Sequence, residues 1–131
     1  MKRLLLAAAV ALGLAGPVAA QGNKGTNAVP AKITTGLTFQ VLLAAVSTRL
    51  SITIQNNNAA DACNIIVGGP WAAADTTSTA RTINGISLTG AQASIALAAG
   101  QSYTRYYPLV PNDQILGTCT TTGDSIYVDT Q

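Results

Sequence analysis

The chain reads as one small all-β domain, an antiparallel β-sandwich of jelly-roll or Ig-like type, with about seven to eight strands and a signal peptide before it. Three observations predict this. Apolar residues recur with a period of two through most of the chain. Turn signals interrupt these runs about every ten residues. The two cysteines, Cys63 and Cys119, both fall inside the alternating part.

The chain opens with a segment that is read as an address. Lys2 and Arg3 precede the apolar stretch 4–15 (LLLAAAVALGLA), Pro17 follows, and Val18-Ala19-Ala20 offers small residues before Gln21. A basic head, a short apolar middle and a small-residue cleavage site form the layout of a secretory signal peptide. The apolar stretch is short for a bilayer-spanning helix, which needs about 20 such residues, so an uncleaved anchor is the weaker reading. Residues 1–20 are expected to be the signal, 21–32 (QGNKGTNAVPAK) a flexible leader, and 33–131 the sandwich.

Strands are expected wherever the alternation is clean. Leu37, Phe39, Val41 and Leu43 share one face, and so do Leu50, Ile52 and Ile54. Cys63, Ile65 and Val67 alternate with Asn64 and Ile66, which points Cys63 inward. Ile86 and Leu88, Ile95 and Leu97, Ile115 with Gly117 and Cys119, and Ile126 with Val128 complete the expected core. Asn56-Asn57-Asn58, Gly68-Gly69-Pro70, Asn84-Gly85, residues 98–101 and Thr122-Gly123-Asp124 mark the turns, the last read as a hairpin. The alanine-rich pieces compete as helix. Ser, Thr and Gly interrupt them, leaving at most a short helical turn around 71–79.

Charge narrows the function. Among 131 residues there are five aspartates, no glutamate and no histidine, and 9% are charged, against about 25% in an average domain. Once residues 1–20 are removed, five cations (Lys24, Lys32, Arg49, Arg81, Arg105) balance five aspartates. The remaining 111 residues include 39 Ser, Thr, Asn or Gln, so amides and hydroxyls coat the surface. So few cations argue against nucleic-acid binding, which needs many phosphates neutralised. A histidine base and an imidazole metal site are both impossible. The aspartates are scattered over turns and strand ends without a calcium-loop spacing, and Asp124 and Asp129 fall on opposite strand faces. No enzyme, cofactor or metal is therefore expected.

Export and an even cysteine pair together read as one disulfide, Cys63–Cys119, with two buried free thiols as the alternative. The aromatic residues suggest a contact surface. Period two places Tyr103, Arg105 and Tyr107 on one face, and Trp71 follows a Gly-Gly-Pro turn on an expected loop. An arginine between tyrosine rings makes a flat plate for a glycan, a cell-surface protein or a second copy of the chain. The alternative is that the tyrosines cap the sandwich while Arg105 reaches to solvent.

The succession Arg49-Leu50-Ser51-Ile52-Thr53-Ile54-Gln55-Asn56-Asn57, Asn64-Ile65-Ile66-Val67-Gly68, Ile83-Asn84-Gly85-Ile86, Leu97-Ala98-Ala99-Gly100-Gln101-Ser102-Tyr103 and Ser125-Ile126-Tyr127-Val128 resembles small β domains of tailed-phage particles and prophage regions. The resemblance covers most of residues 33–129 and implies a structural or adhesive accessory of capsid, tail or fibre. The signal peptide and disulfide depart from that pattern and favour a periplasmic or extracellular place. The expected function is therefore an exported, non-enzymatic protein with a structural or adhesive role at the bacterial surface or in the periplasm, and with no membrane span after cleavage. A phage-derived decoration or tail protein is the alternative, followed by a small secreted enzyme or inhibitor.

Overall fold

The computed structural model describes residues 29–46 and 48–131. The expected signal peptide and residues 21–28 of the expected leader lie outside the described residues. The elements are, in chain order, β1 (Val29–Lys32), β2 (Gln40–Leu43), β3 (Ser51–Asn56), β4 (Cys63–Val67), β5 (Ala80–Ile83), β6 (Ile86–Thr89), a single helical turn α1 (Gly90–Ala93), β7 (Ile95–Leu97), β8 (Ser102–Tyr106), β9 (Ile115–Cys119) and β10 (Ser125–Thr130). The described strands number ten rather than seven to eight. The extra ones come from short pieces, among them β1. That strand occupies the last four residues of the expected leader, held by antiparallel pairing of Val29–Lys32 with β10.

One sheet has the order β1-β10-β3-β8 and the second β2-β9-β4-β7, while β5 and β6 form a separate hairpin. All the pairings are antiparallel. The four-stranded sheets share one core. Ile52, Ile54, Ile126 and Val128 come from the first, and Cys63, Ile65, Leu97, Ile115 and Cys119 from the second, with Ile33 from the connection after β1. Each fully buried isoleucine contributes about 1.5–3 kcal/mol of transfer free energy. Gly117 keeps the two sheets close: a Cβ there would collide with the Leu42 side chain and sit 3.3 Å from Ile126 Cδ1 of the facing sheet.

A second, smaller core covers the other face of β4 and β9. Phe39, Ile66, Trp71 and Leu116 are buried there, with Ile83, Leu88 and Ala93 packed against them. This explains why Ile66 and Leu116 are buried although each lies out of phase with the main core. The sheet is covered on both sides, so its strands need not alternate. The Asn84-Gly85 pair forms the expected tight turn of the β5–β6 hairpin, with φ of 50° and 81°, values that suit a type I′ turn.

Other expectations are corrected. Residues 71–79 form no helix; Thr38 and Thr76 make a β-bridge instead, and the backbones of Phe39, Ala74 and Asp75 interlock by hydrogen bonds of 2.8–2.9 Å. The helical turn falls at Gly90–Ala93 because Thr89 and Gln92 form a capping box there. Leu37, Val41, Leu50, Ile86 and Ile95, all expected in the core, are exposed. Leu37 turns through a φ of 59°. The β2 register shifts between Val41 and Leu43. Leu50 precedes β3, Ile86 follows a turn, and Ile95 belongs to a three-residue edge strand. The Thr122-Gly123-Asp124 turn is present but does not close a hairpin, because β9 and β10 belong to different sheets.

Candidate functional site

Strands run the length of the sandwich, so its two ends are built by different residues. At one end β3 finishes, β4 begins and β9 finishes. Cys63 and Cys119 stand directly opposite each other on the adjacent strands β4 and β9. They form a disulfide with Cα atoms 3.9 Å apart and both residues fully buried. The bond therefore staples two strands of one sheet.

Beside it lies an amide network. Asn56, the last residue of β3, is fully buried and donates from Nδ2 to the carbonyls of Asp61 (2.8 Å) and Leu97 (2.9 Å). Its Oδ1 accepts from the backbone N–H (3.0 Å) and the side-chain amide (2.8 Å) of Asn58. The Asn58 amide also approaches Cys63 Sγ at 3.3 Å, and Asn58 Oδ1 accepts from the Ser125 N–H at 3.1 Å. Every donor and acceptor of the buried Asn56 side chain is thereby satisfied. The expectation of a plain Asn-rich turn missed this. Inward parity with Ile52 and Ile54 was the available signal.

At the opposite end the organiser is Arg49, which is 6% exposed. Its guanidinium donates to the carbonyls of Pro111 (2.8 Å), Asp113 (3.0 Å) and Ala44. Burial lowers its pKa from the ordinary arginine value, and the charge of Asp113 acts the other way; arginine nevertheless stays a cation in proteins. This one side chain fastens the connection between β8 and β9. Around it the same end exposes apolar surface: Leu50 (58%), Tyr106 (69%), Tyr107 (75%) and Leu109 (75%). They belong together, since the Tyr107 N–H donates to Leu50 O at 2.8 Å and the Leu109 N–H to Tyr106 O at 2.9 Å. Pro108, joined to Tyr107 by a cis peptide bond, and Pro111 bracket Leu109, which keeps it out of any strand.

The expected aromatic surface is therefore partly assembled. Tyr103 and Arg105 stand opposite Ile54 and Ile52, on the inner side of the edge strand β8. Tyr103 packs against the rim of the main core, and the Arg105 guanidinium lies over its ring, 4.5 Å from the centroid. Tyr107 lies past the end of β8, with the exposed apolar group. Trp71 does not belong to this surface. It is buried in the second core, its Nε1–H reaching Thr79 O at 3.4 Å. Leu50, Tyr106 and Leu109 were not expected in the site.

Four of the five aspartates serve the scaffold. The Ala72 N–H and the Arg81 guanidinium hold the Asp75 carboxyl below its usual range, with both carboxylate oxygens 2.9 Å from Arg81. Asp124 accepts from the Thr121 N–H at 3.3 Å. Asp61 and Asp113 supply backbone carbonyls to Asn56 and Arg49. Asp129 stands opposite Thr53 on the outer face of the first sheet, and its Oδ1 is buried without a hydrogen-bond partner among the described residues. Among the described residues no helix is long and apolar enough to cross a membrane. No protein-family model, curated protein or solved structure matches the chain.

Proposed function

We propose that the chain is an exported, non-enzymatic β-sandwich protein with a structural or adhesive role at the bacterial surface or in the periplasm. It meets its partner through the end that carries Leu50, Tyr106, Tyr107 and Leu109. The observation behind this reading is that these four large side chains are all exposed on neighbouring stretches of backbone, at an end that Arg49 holds in place. Adjoining exposed apolar side chains mark contact surfaces more often than isolated ones do. The layout of residues 1–20 and the Cys63–Cys119 bond support export. The near absence of charge leaves little long-range steering, so recognition is of short range, through rings, methyls, amides and hydroxyls.

The test uses protein purified after expression of the full chain with its own leader. Binding to bacterial cells and to arrayed glycans is measured for the wild type and for the double variant Tyr106→Ser, Leu109→Ser. The double variant is expected to fold normally and to bind at least tenfold more weakly, a loss of about 1.4 kcal/mol. Wild-type protein inert toward cells and glycans, or binding unchanged in the variant, would falsify the reading.

A further inference from the structure

We infer that β8 pairs with β8 of a second copy, antiparallel and centred on Thr104, so that two sandwiches join edge to edge. The inference goes beyond the proposed function: it concerns the edge of the first sheet rather than the end of the sandwich, and it names a second copy as the occupant and gives the register.

A comparison of the four outer strands singles out β8. An edge strand presents unpaired N–H and C=O groups and is normally guarded. β1 carries Pro30 and Lys32. β2 is broken by the register shift between Val41 and Leu43. β7 is only three residues long. β8 has five residues, no proline and an unbroken register with β3 from Ser51↔Tyr106 to Gln55↔Ser102. Among the described residues nothing pairs with its outer side.

The direction of its backbone groups sets the register. The Tyr107 N–H donates to Leu50 O, and the Asn56 N–H donates to Gln101 O. Hydrogen-bonded pairs alternate along an antiparallel ladder. Odd-numbered residues of β8 therefore face β3, and Ser102, Thr104 and Tyr106 turn their N–H and C=O groups outward. A two-fold axis through Thr104 pairs Thr104 with its own copy and Ser102 with Tyr106, which uses all the outward groups. The same axis sets each Tyr103 opposite the other copy's Arg105, on the same face. Cation and ring, now stacked within one chain at 4.5 Å, then meet across the interface twice over. An axis through Arg105 would instead oppose two like charges, which is unfavourable. The interface is isologous, as a two-fold dimer requires.

Among the described residues Arg105 is also the one guard of this edge. Its Nη1 donates to Thr104 O at 2.9 Å and so caps the central outward carbonyl in a single copy. On pairing, the Thr104 N–H of the second copy takes over that carbonyl, and the guanidinium is released toward the second copy's Tyr103.

The axis passes through Thr104, so a charge placed there faces itself. The side chain lies on the outer face of the sheet, its hydroxyl 3.3 Å from that of Thr53. Protein processed from the full chain is examined by sedimentation velocity up to millimolar concentration, as wild type, Thr104→Lys, Thr104→Asp and an equimolar mixture of the two variants. Thermal melts confirm that each variant is folded. The wild type is expected to dimerise, each variant to associate at least tenfold more weakly, and the mixture to recover a dimer containing one copy of each. A monomeric wild type, a Thr104→Lys protein that associates like wild type, or a mixture of folded variants that stays monomeric overturns the inference. Neither variant alters Leu50, Tyr106, Tyr107 or Leu109. Binding to cells or glycans that persists in the variants separates failure of this register from failure of the proposed function.

Discussion

The two ends of the sandwich solve the same problem with different chemistry. Both must satisfy backbone carbonyls where strands stop. The disulfide end does so with a neutral amide: Asn56 uses all its hydrogen-bonding capacity, and Asn58 links it to Cys63 and to the start of β10. The opposite end does so with one cation, Arg49, which gathers three carbonyls from two connections. The amide network closes its end over fully buried side chains. The arginine organises backbone beneath it and leaves Leu50, Tyr106, Tyr107 and Leu109 outside. One end is finished by the chain for itself; at the other, among the described residues, backbone tied down by Arg49 leaves large apolar side chains exposed, and the proposed contact rests on that difference.

Three variants break this contrast at different points. The largest effect is expected from removing the disulfide by Cys63→Ala together with Cys119→Ala. For cysteines 56 positions apart, the chain-entropy relation gives about 4 kcal/mol, read as a lower urea midpoint. A midpoint unchanged from the wild type would show that the amide network alone closes that end. Next comes Asn56→Ala, which strands the Asp61 and Leu97 carbonyls and the Asn58 amide. A loss of about 3 kcal/mol is expected from several unpaired buried groups, measured with the disulfide intact. The smallest global effect belongs to Arg49→Ala, about 2 kcal/mol for charge-assisted bonds to carbonyls near the surface. Its signature is local: faster amide exchange and proteolysis within residues 107–114, with the disulfide end still protected. Uniform loosening of both ends would mean that Arg49 supports the whole sandwich.

The period-two pattern was a sound guide to β3, β4, β9 and β10, because these strands line the main core. It placed Ile52, Ile54, Cys63, Ile65, Ile115, Ile126 and Val128 correctly. It failed where a sheet is covered on both faces. Ile66 and Leu116 belong to the second core, and so does Trp71, whose loop position read as a surface. Strand order was hidden for a physical reason. The residues of a turn report its local backbone angles and not which sheet the next strand joins. The turn at 98–101 reads as a plain link between two short strands and the one at 122–124 as a hairpin, yet both carry the chain from one sheet to the other. The two organising polar residues were hidden too. A single Arg before a strand and a single Asn at the end of one look like solvated residues until the fold buries them. The cysteine pairing was legible, since two cysteines on inward positions leave one bond to make.

The place of the disulfide along the chain has a mechanical consequence. It encloses β4 through β9, while β1, β2, β3 and β10 lie outside the loop. A pull applied through β1 and β10 can draw out only those four strands and their connections. The 56 positions between the cysteines correspond to roughly 190 Å of extended chain at the usual reach per residue. That length stays out of reach of the force while the bond is oxidised. A protein anchored at one side and loaded at the other would therefore yield a fixed extension and then stop, with the reserve available only to a reductant.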